Sequence, residues 1–196
     1  MNWTNAINDF NDYLKIERGF SVNSISSYKE DITKFKKFIN YTKNPLEINA
    51  DDIKGFLHDI SKELNSTSQS RVISGLRSFF EFLIFEKYIK DNPLKLIESP
   101  KTSRKLPDVL SLEEIDLLIS KIDLSIEQGE RNLAIIELLY GCGIRVSELV
   151  DLKISDLFFE ENFIKVTGKG NKQRLVPIGN VTKQNINNSE STEARN

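Results

Sequence analysis

The sequence predicts a mainly α-helical chain of two domains, the first all-helical and the second α+β with a β-hairpin. Three observations carry this. Apolar residues recur at helical spacing from Trp3 to Tyr88. Three prolines, Pro93, Pro100 and Pro107, punctuate the middle of the chain. Past residue 160 the pattern changes to short runs with strand character around a Gly/Asn turn. The 196 residues suffice for one ordinary domain or two small ones.

Trp3, Ile7, Phe10 and Leu14 fall at steps of four, three and four, an amphipathic helix that Gly19 should end. Ser21 or Asn23 can cap a second helix with the stripe Ile25, Tyr28, Ile32, Phe35 and Ile39, and Pro45 then breaks the chain. Asn49 can cap a third helix, with Asp51 and Asp52 in the first turn where carboxylates suit the helix dipole and Ile53, Phe56, Leu57, Ile60 and Leu64 as its stripe. The polar turn Asn65 to Ser68 opens a fourth helix through Val72, Leu76, Phe79, Leu83 and Phe85 to Tyr88. Four helices with short connections predict a compact helical domain over residues 1–98.

Residues 99–110 carry Pro100 and Pro107 with Lys101, Arg104 and Lys105 between them, and are expected to be a basic linker. Ser111-x-x-Glu114 is a capping box opening a helix with Ile115, Leu118, Ile119 and Ile122. Another helix is expected from about Arg131 through Leu133, Ile136, Leu139 and Tyr140 to Gly141-Cys142-Gly143, and a short one from Arg145 to about Leu152. Phe163, Ile164 and Val166, then Leu175, Val176 and Ile178, read as two strands. Thr167 to Lys172 is the turn between them, a hairpin with a basic tip that completes a second domain over 111–179. Residues 180–196 hold three aliphatic side chains, Val181, Ile186 and Ala194, and are expected to be a disordered polar tail.

The composition excludes several classes. Hydrophobic residues are 39% of the chain and charged residues 29%, which is too apolar for a disordered protein. One Cys permits no intrachain disulfide and suits a reducing compartment, so a cytoplasmic location is expected. The first residues show no signal-peptide pattern, and no apolar run is long enough to span a bilayer, so no membrane partner is expected. With His58 the only histidine, cysteine-rich zinc sites and mechanisms needing two histidines are out. The net charge of -2 excludes a uniformly basic surface but hides local patches. Residues 111–166 carry a net of -7, whereas 167–179 hold Lys169, Lys172 and Arg174 with no acid. Both basic clusters can be polyanion contacts or merely solvated loops.

Arg145 follows a Gly-x-Gly break at the start of a short helix, a neighbourhood that favours an anion. Glu148, three residues on, can hold the guanidinium; the same spacing also fits an ordinary surface ion pair. Lys169 between Gly168 and Gly170 can reach a phosphate without steric hindrance, or can be a solubilising turn residue; the P-loop pattern fails, since no Gly-Lys-Ser/Thr follows at the required spacing. His58 is expected at the edge of the packing, Cys142 as a small buried residue, and Phe79, Phe80, Phe82 and Phe85 in the core.

Gly143-Ile144-Arg145-Val146-Ser147-Glu148-Leu149, then Leu152 and Asp156, then Thr167 through Ile178 resemble the tyrosine recombinases, and among them the bacterial Xer-type enzymes. Ser21 to Tyr28, Arg71 to Phe85, Asp91-Asn92-Pro93 and Ser99 to Pro107 extend the resemblance to about residues 5–179. It implies a SAM-like core-binding domain followed by the N-terminal part of an α+β catalytic domain, the two forming a C-clamp on double-stranded DNA. It implies site-specific recombination or integration, in which a tyrosine attacks a phosphodiester to give a 3′-phosphotyrosyl link and a free 5′-hydroxyl, with no metal or cofactor. Other recombinase protomers on DNA, a tetramer in the family, are the implied partners.

On this resemblance Arg145 is the catalytic arginine on a non-bridging phosphate oxygen, Lys169 the general acid for the leaving 5′-oxygen, and Glu148 the support of the arginine. DNA contacts are implied at Lys101, Arg104, Lys105, Lys172 and Arg174, and at Ser24, Tyr28, Arg71 and Arg77. The family continues past the hairpin into a His-x-x-Arg motif and the nucleophilic tyrosine. Here Tyr13, Tyr28, Tyr41, Tyr88 and Tyr140 all precede Arg145, and no His follows His58. The chain is therefore expected to be C-terminally shortened and catalytically incomplete, with apolar faces of 111–166 left uncovered. The alternative function is a non-catalytic DNA-binding fragment that occupies a recombination site or pairs with a complete recombinase; a helical interaction module unrelated to DNA is a third reading.

Overall fold

The computed structural model describes residues 1–40, 42–101 and 106–193. The chain divides into two compact units, Met1–Lys105 and Leu106–Asn196. Arg104 and Lys105, expected to contact DNA, lie outside the described residues.

The first unit is built of four helices: α1 (Trp3–Asp12), α2 (Val22–Phe38), α3 (Ala50–Ile60) and α4 (Ser66–Phe85). Each begins where a side chain caps it. Asn2, Ser21, Asn49 and Asn65 accept from backbone N–H groups two or three residues on, and at α3 the Asp52 carboxylate reaches back to complete the box. α1 runs into a π-helical turn, Tyr13–Glu17. Gly19, at φ +62°, then reverses the chain while the Phe20 N–H closes on the Leu14 carbonyl.

α4 stops at Phe85, short of the Tyr88 expected from the sequence. Lys87 adopts a left-handed φ of +61°, and the Tyr88 N–H returns to the Leu83 carbonyl. This is a helix-ending turn without the glycine that would have announced it.

The core of this unit is aromatic. Trp3 stacks on Phe79 with ring centroids 6.0 Å apart, Phe10 meets the same ring edge-on at 5.5 Å, and Phe35 packs against Phe56 and Phe80. Phe10, Phe35, Phe79 and Phe80 are fully buried, each contributing roughly 1.5–3 kcal/mol. Phe82 is buried with them, but Phe85 is exposed. The indole N–H of Trp3 donates to the Lys43 carbonyl, which fastens the segment after α2.

The second unit comprises α5 (Leu112–Ser120), α6 (Glu127–Gly141), α7 (Val146–Val150), a 3₁₀ turn (Ile154–Asp156), β1 (Leu157–Phe158), β2 (Phe163–Gly168), β3 (Lys172–Pro177) and α8 (Asn180–Glu193). The Ser111/Glu114 capping box is present. α6 starts four residues earlier than its stripe suggested. The strands form an antiparallel sheet in the order β1-β2-β3, with Ile164 opposite Val176, Val166 opposite Arg174 and Gly168 opposite Lys172. β1, two residues long, adds a third strand to the two that the sequence predicts. Ala134, Leu138, Ile144, Ile164, Val166, Val176, Ile178 and Ile186 form the core.

The expectation of a disordered tail is corrected. Residues 180–193 are helical. Thr182 and Ile186, one turn apart on the same face, are buried. Thr182 donates to Glu137 of α6 at 3.2 Å, and the Lys183 ammonium reaches the Phe159 carbonyl at 2.8 Å and the Asn162 side chain. Low aliphatic content misled because two inward positions suffice to dock a helix whose other faces are polar. Val146, Val150 and Ile154 of this unit are exposed.

Candidate functional site

Glu148 organises the second unit. α6 ends at Gly141, and Gly143 turns the chain at φ +59°. Ile144 is buried as an anchor, which leaves Arg145 extended at the N-cap of α7. The Glu148 carboxylate, three residues on, accepts the Arg145 backbone N–H at 2.9 Å and its guanidinium Nη1 at 3.0 Å. Arg174 of β3 supplies a two-pronged fork to the same carboxylate, Nη1 to Oε1 at 2.6 Å and Nη2 to Oε2 at 2.9 Å.

The strand register explains how Arg174 gets there. It shares the alternating face of β3 with Val176, which is buried, and so points inward where the core gives way to Glu148.

The exposures divide the labour. The Glu148 side chain is 2% exposed, that of Arg174 41% and that of Arg145 74%. Arg174 is therefore chiefly a clamp on the carboxylate, while the Arg145 guanidinium has donors left over that face solvent. Hydrogen bonds from Arg174, then from the Arg145 backbone and side chain, hold the Glu148 carboxyl down to about 2 against the opposing effect of burial. The same carboxylate pushes the Arg174 guanidinium up. The carboxylate stays ionised, and both arginines stay fixed.

The hairpin closes on the same group. A Cβ on Gly168 would lie 3.0 Å from Glu148 Oε1 and 3.6 Å from Arg174 Nη1. Lys169 follows directly, in the one-turn 3₁₀ segment Lys169–Asn171 where Gly170 and Asn171 take φ +76° and +59°. Lys169 and Lys172 are exposed. The structure thus joins Arg145, Glu148, Arg174 and the base of the Lys169 loop. It gives Arg174, expected only as a DNA contact, a positioning task that inward parity with Val176 could have signalled.

In the first unit, Ser24 and Tyr28 of α2 and Arg71 of α4 line one pocket of about 220 Å³, together with Ser27, Asp31 and Ser74. Arg71 Nη1 donates to Asp31 Oδ2 at 2.8 Å. Arg77 is placed otherwise. Its Nη2 donates to the Ile97 carbonyl at 2.8 Å, and its own carbonyl accepts from the Asn92 side chain at 3.2 Å. These bonds tie the segment after α4 to the bundle. Lys101 is exposed, just past Pro100, whose carbonyl accepts from Ser70 at 3.3 Å.

His58 is exposed on α3 rather than at the packing boundary. Cys142 is half-buried, and burial, then the nearby Glu137, pushes its thiol up, away from reactivity. Among the described residues no group of three or more His, Cys, Asp or Glu could hold a metal ion. No helix of the described residues is long and apolar enough to cross a membrane.

Residues 7–87 match the phage integrase N-terminal SAM-like domain, and residues 108–194 match the phage integrase family. Tyrosine recombinase XerD of Oceanobacillus iheyensis is 44% identical over 182 residues, 91% of this chain and 61% of that protein. The chain thus spans about three-fifths of the length of the curated relatives it matches. Among solved structures, a lambda integrase tetramer bound to a Holliday junction superposes with a TM-score of 0.76 at 19% identity, over 96% of this chain and 56% of that one. XerH site-specific recombinase bound to its difH substrate gives 0.67 at 22% identity, over 96% and 57%. At these identities the structures show the shared fold, and with the sequence matches over both units the chain belongs to the phage integrase family of tyrosine recombinases.

Proposed function

We propose that this chain binds duplex DNA and holds one backbone phosphate between Arg145 and Lys169, as its part in site-specific recombination. The observation that carries this reading is the Glu148 carboxylate, which fixes Arg145 and abuts Gly168, so that arginine and lysine loop are tied through one buried group. Free guanidinium donors of Arg145 suit a non-bridging oxygen whose charge grows toward the transition state. Lys169, exposed in the turn between β2 and β3, is the proton donor for the leaving 5′-oxygen. The attacking group in this chemistry is a tyrosine that becomes a 3′-phosphotyrosyl ester. The five tyrosines of this chain all precede Arg145, so no nucleophile is assigned. The lambda integrase and XerH complexes, both on DNA, support the choice of partner.

The position of the tyrosines favours a second reading, that of a DNA-binding chain which occupies a recombination site or pairs with a complete recombinase without cutting. Two measurements test both. Duplex binding is expected to weaken steeply with salt and to weaken further when Lys101, Arg104 and Lys105 are changed together to Ala. Binding indifferent to salt would overturn the DNA reading. On a nicked suicide substrate no covalent protein–DNA adduct is expected. An adduct would show that one of the five tyrosines is a nucleophile and would remove the non-cutting reading.

A further inference from the structure

We infer that Asp31 is a positioning residue: from the floor of the α2/α4 pocket it fixes the Arg71 guanidinium for one phosphate of bound duplex, an inference that rests on the duplex-binding reading above. The carboxylate and the guanidinium differ sharply in exposure. The Asp31 side chain is 2% exposed and that of Arg71 48%. A ligand arriving at the pocket therefore meets the cation, with the anion behind it. Asp31 occupies one guanidinium nitrogen, Nη1 at 2.8 Å, and guanidinium carries five N–H donors in a fixed plane. Holding one edge aims the rest.

The surroundings are shaped for that task. A Cβ on Gly75 of α4 would lie 2.8 Å from Asp31 Oδ2, so the carboxylate lies in a notch that only glycine leaves open. Asp31 stands among the apolar residues of its helix, between Tyr28 and Ile32, where a carboxylate is out of place unless it serves another group. Its second oxygen, Oδ1, is buried with no hydrogen-bond partner. Burial pushes the Asp31 carboxyl up, with Arg71 acting in the opposite direction. The site is thus poor as a stabilising device. The remaining lining, Ser24, Ser27, Tyr28 and Ser74, is hydroxylic and adds no further charge. The pocket, about 220 Å³ and open to solvent, has room for a phosphate oxygen in place of water.

The test is fluorescence anisotropy of the full chain on a duplex over a salt series, with thermal unfolding in parallel, for wild type, D31N, R71A, R71K and D31N/R71A. Removing a negative charge should by simple electrostatics tighten DNA binding. Positioning requires the reverse. D31N should weaken binding roughly three- to tenfold while its Tm is unchanged or raised. R71A should weaken it similarly and reduce the slope of log K against log salt by about 1. The double variant should be no weaker than R71A. R71K keeps the charge without the held plane and should lose affinity as R71A does while retaining the salt slope. The inference is overturned by D31N binding as tightly as wild type or tighter, by additive losses in the double variant, or by full affinity in R71K. If D31N does not fold, the R71K result decides. Wild-type chain that binds no duplex at low salt removes the DNA reading itself, an outcome distinct from tight binding by all variants.

Discussion

Gly168 stands where any side chain would run into Glu148. A Cβ there would sit 3.0 Å from Oε1, and the backbone itself, at φ -99°, is one that other residues adopt. The requirement for glycine is therefore one of contact and not of backbone strain. G168A should push the carboxylate off Arg174 or the hairpin off α7, costing about 1–2 kcal/mol and loosening Arg145. Gly170 provides the contrast. Its φ is +76° with open space around it, so G170A should cost about 1 kcal/mol through backbone strain and leave Glu148 in place. Denaturant unfolding of the two variants gives the costs, and duplex affinity separates them, since only G168A disturbs the arginine clamp. Equal duplex affinity in both would contradict this.

Glu148 gives the second unit a defined acid response. Its carboxyl is held at about 2 in the folded chain, below its ordinary value of 4.5. A lowered folded value means the unfolded chain takes up the proton first. The stabilisation is complete above about 4.5 and is lost as pH falls from there through about 2. The groups facing it are Arg145 from α7 and Arg174 from β3, both cationic throughout this range. E148Q should flatten the stability–pH profile in that window. Unfolding midpoints between pH 2 and 5 measure it, and an unchanged slope in E148Q would show that other carboxylates account for the acid response.

The helix α8 makes a packing prediction. Ile186 is 7% exposed against the α6 side of the core. I186A removes that contact and should cost about 2–3 kcal/mol. V181A, at a position 62% exposed, should cost less than 0.5 kcal/mol. Thermal unfolding checks the pair. Equal, negligible effects would mean that residues 180–193 do not dock.

The helices of the first unit were legible because their signals are local: caps at Ser21, Asn49 and Asn65, and apolar residues every three or four positions. What was missed is of another kind. The end of α4 depends on a lysine taking a left-handed conformation, which Lys87 does not advertise. The polar composition of 180–193 hides α8, although Thr182 and Ile186 are spaced for one buried face. At the site, Arg145, Glu148 and Lys169 could be picked out by spacing and by resemblance. The role of Arg174 required the strand register, which links it to Glu148 across 26 residues. Asp31 carries a sequence signal of its own, a carboxylate among the apolar positions of α2, but that it fits against Gly75 of α4 is visible only in the fold.

Arg71 and Arg77, six residues apart on α4, should behave differently although both carry the same charge. Arg71 holds a carboxylate and keeps half its surface exposed, whereas Arg77 Nη2 is committed to the Ile97 carbonyl at 2.8 Å. R77A leaves that carbonyl without its donor and frees the segment after α4, a loss of about 1 kcal/mol, or a fall of about 4 °C in the Tm of the first unit. Its duplex affinity should keep the wild-type salt dependence, because the guanidinium, although still charged, is half-buried and drawn onto the Ile97 carbonyl, whereas that of Arg71 is exposed. R71A should reduce the salt slope by about 1, and should also lower Tm because it leaves the buried Asp31 carboxylate without its partner. Measuring both quantities on both variants distinguishes a brace from a contact. If R77A lowers the salt slope and leaves Tm unchanged, Arg77 touches the phosphate backbone and its bond to Ile97 gives way on binding.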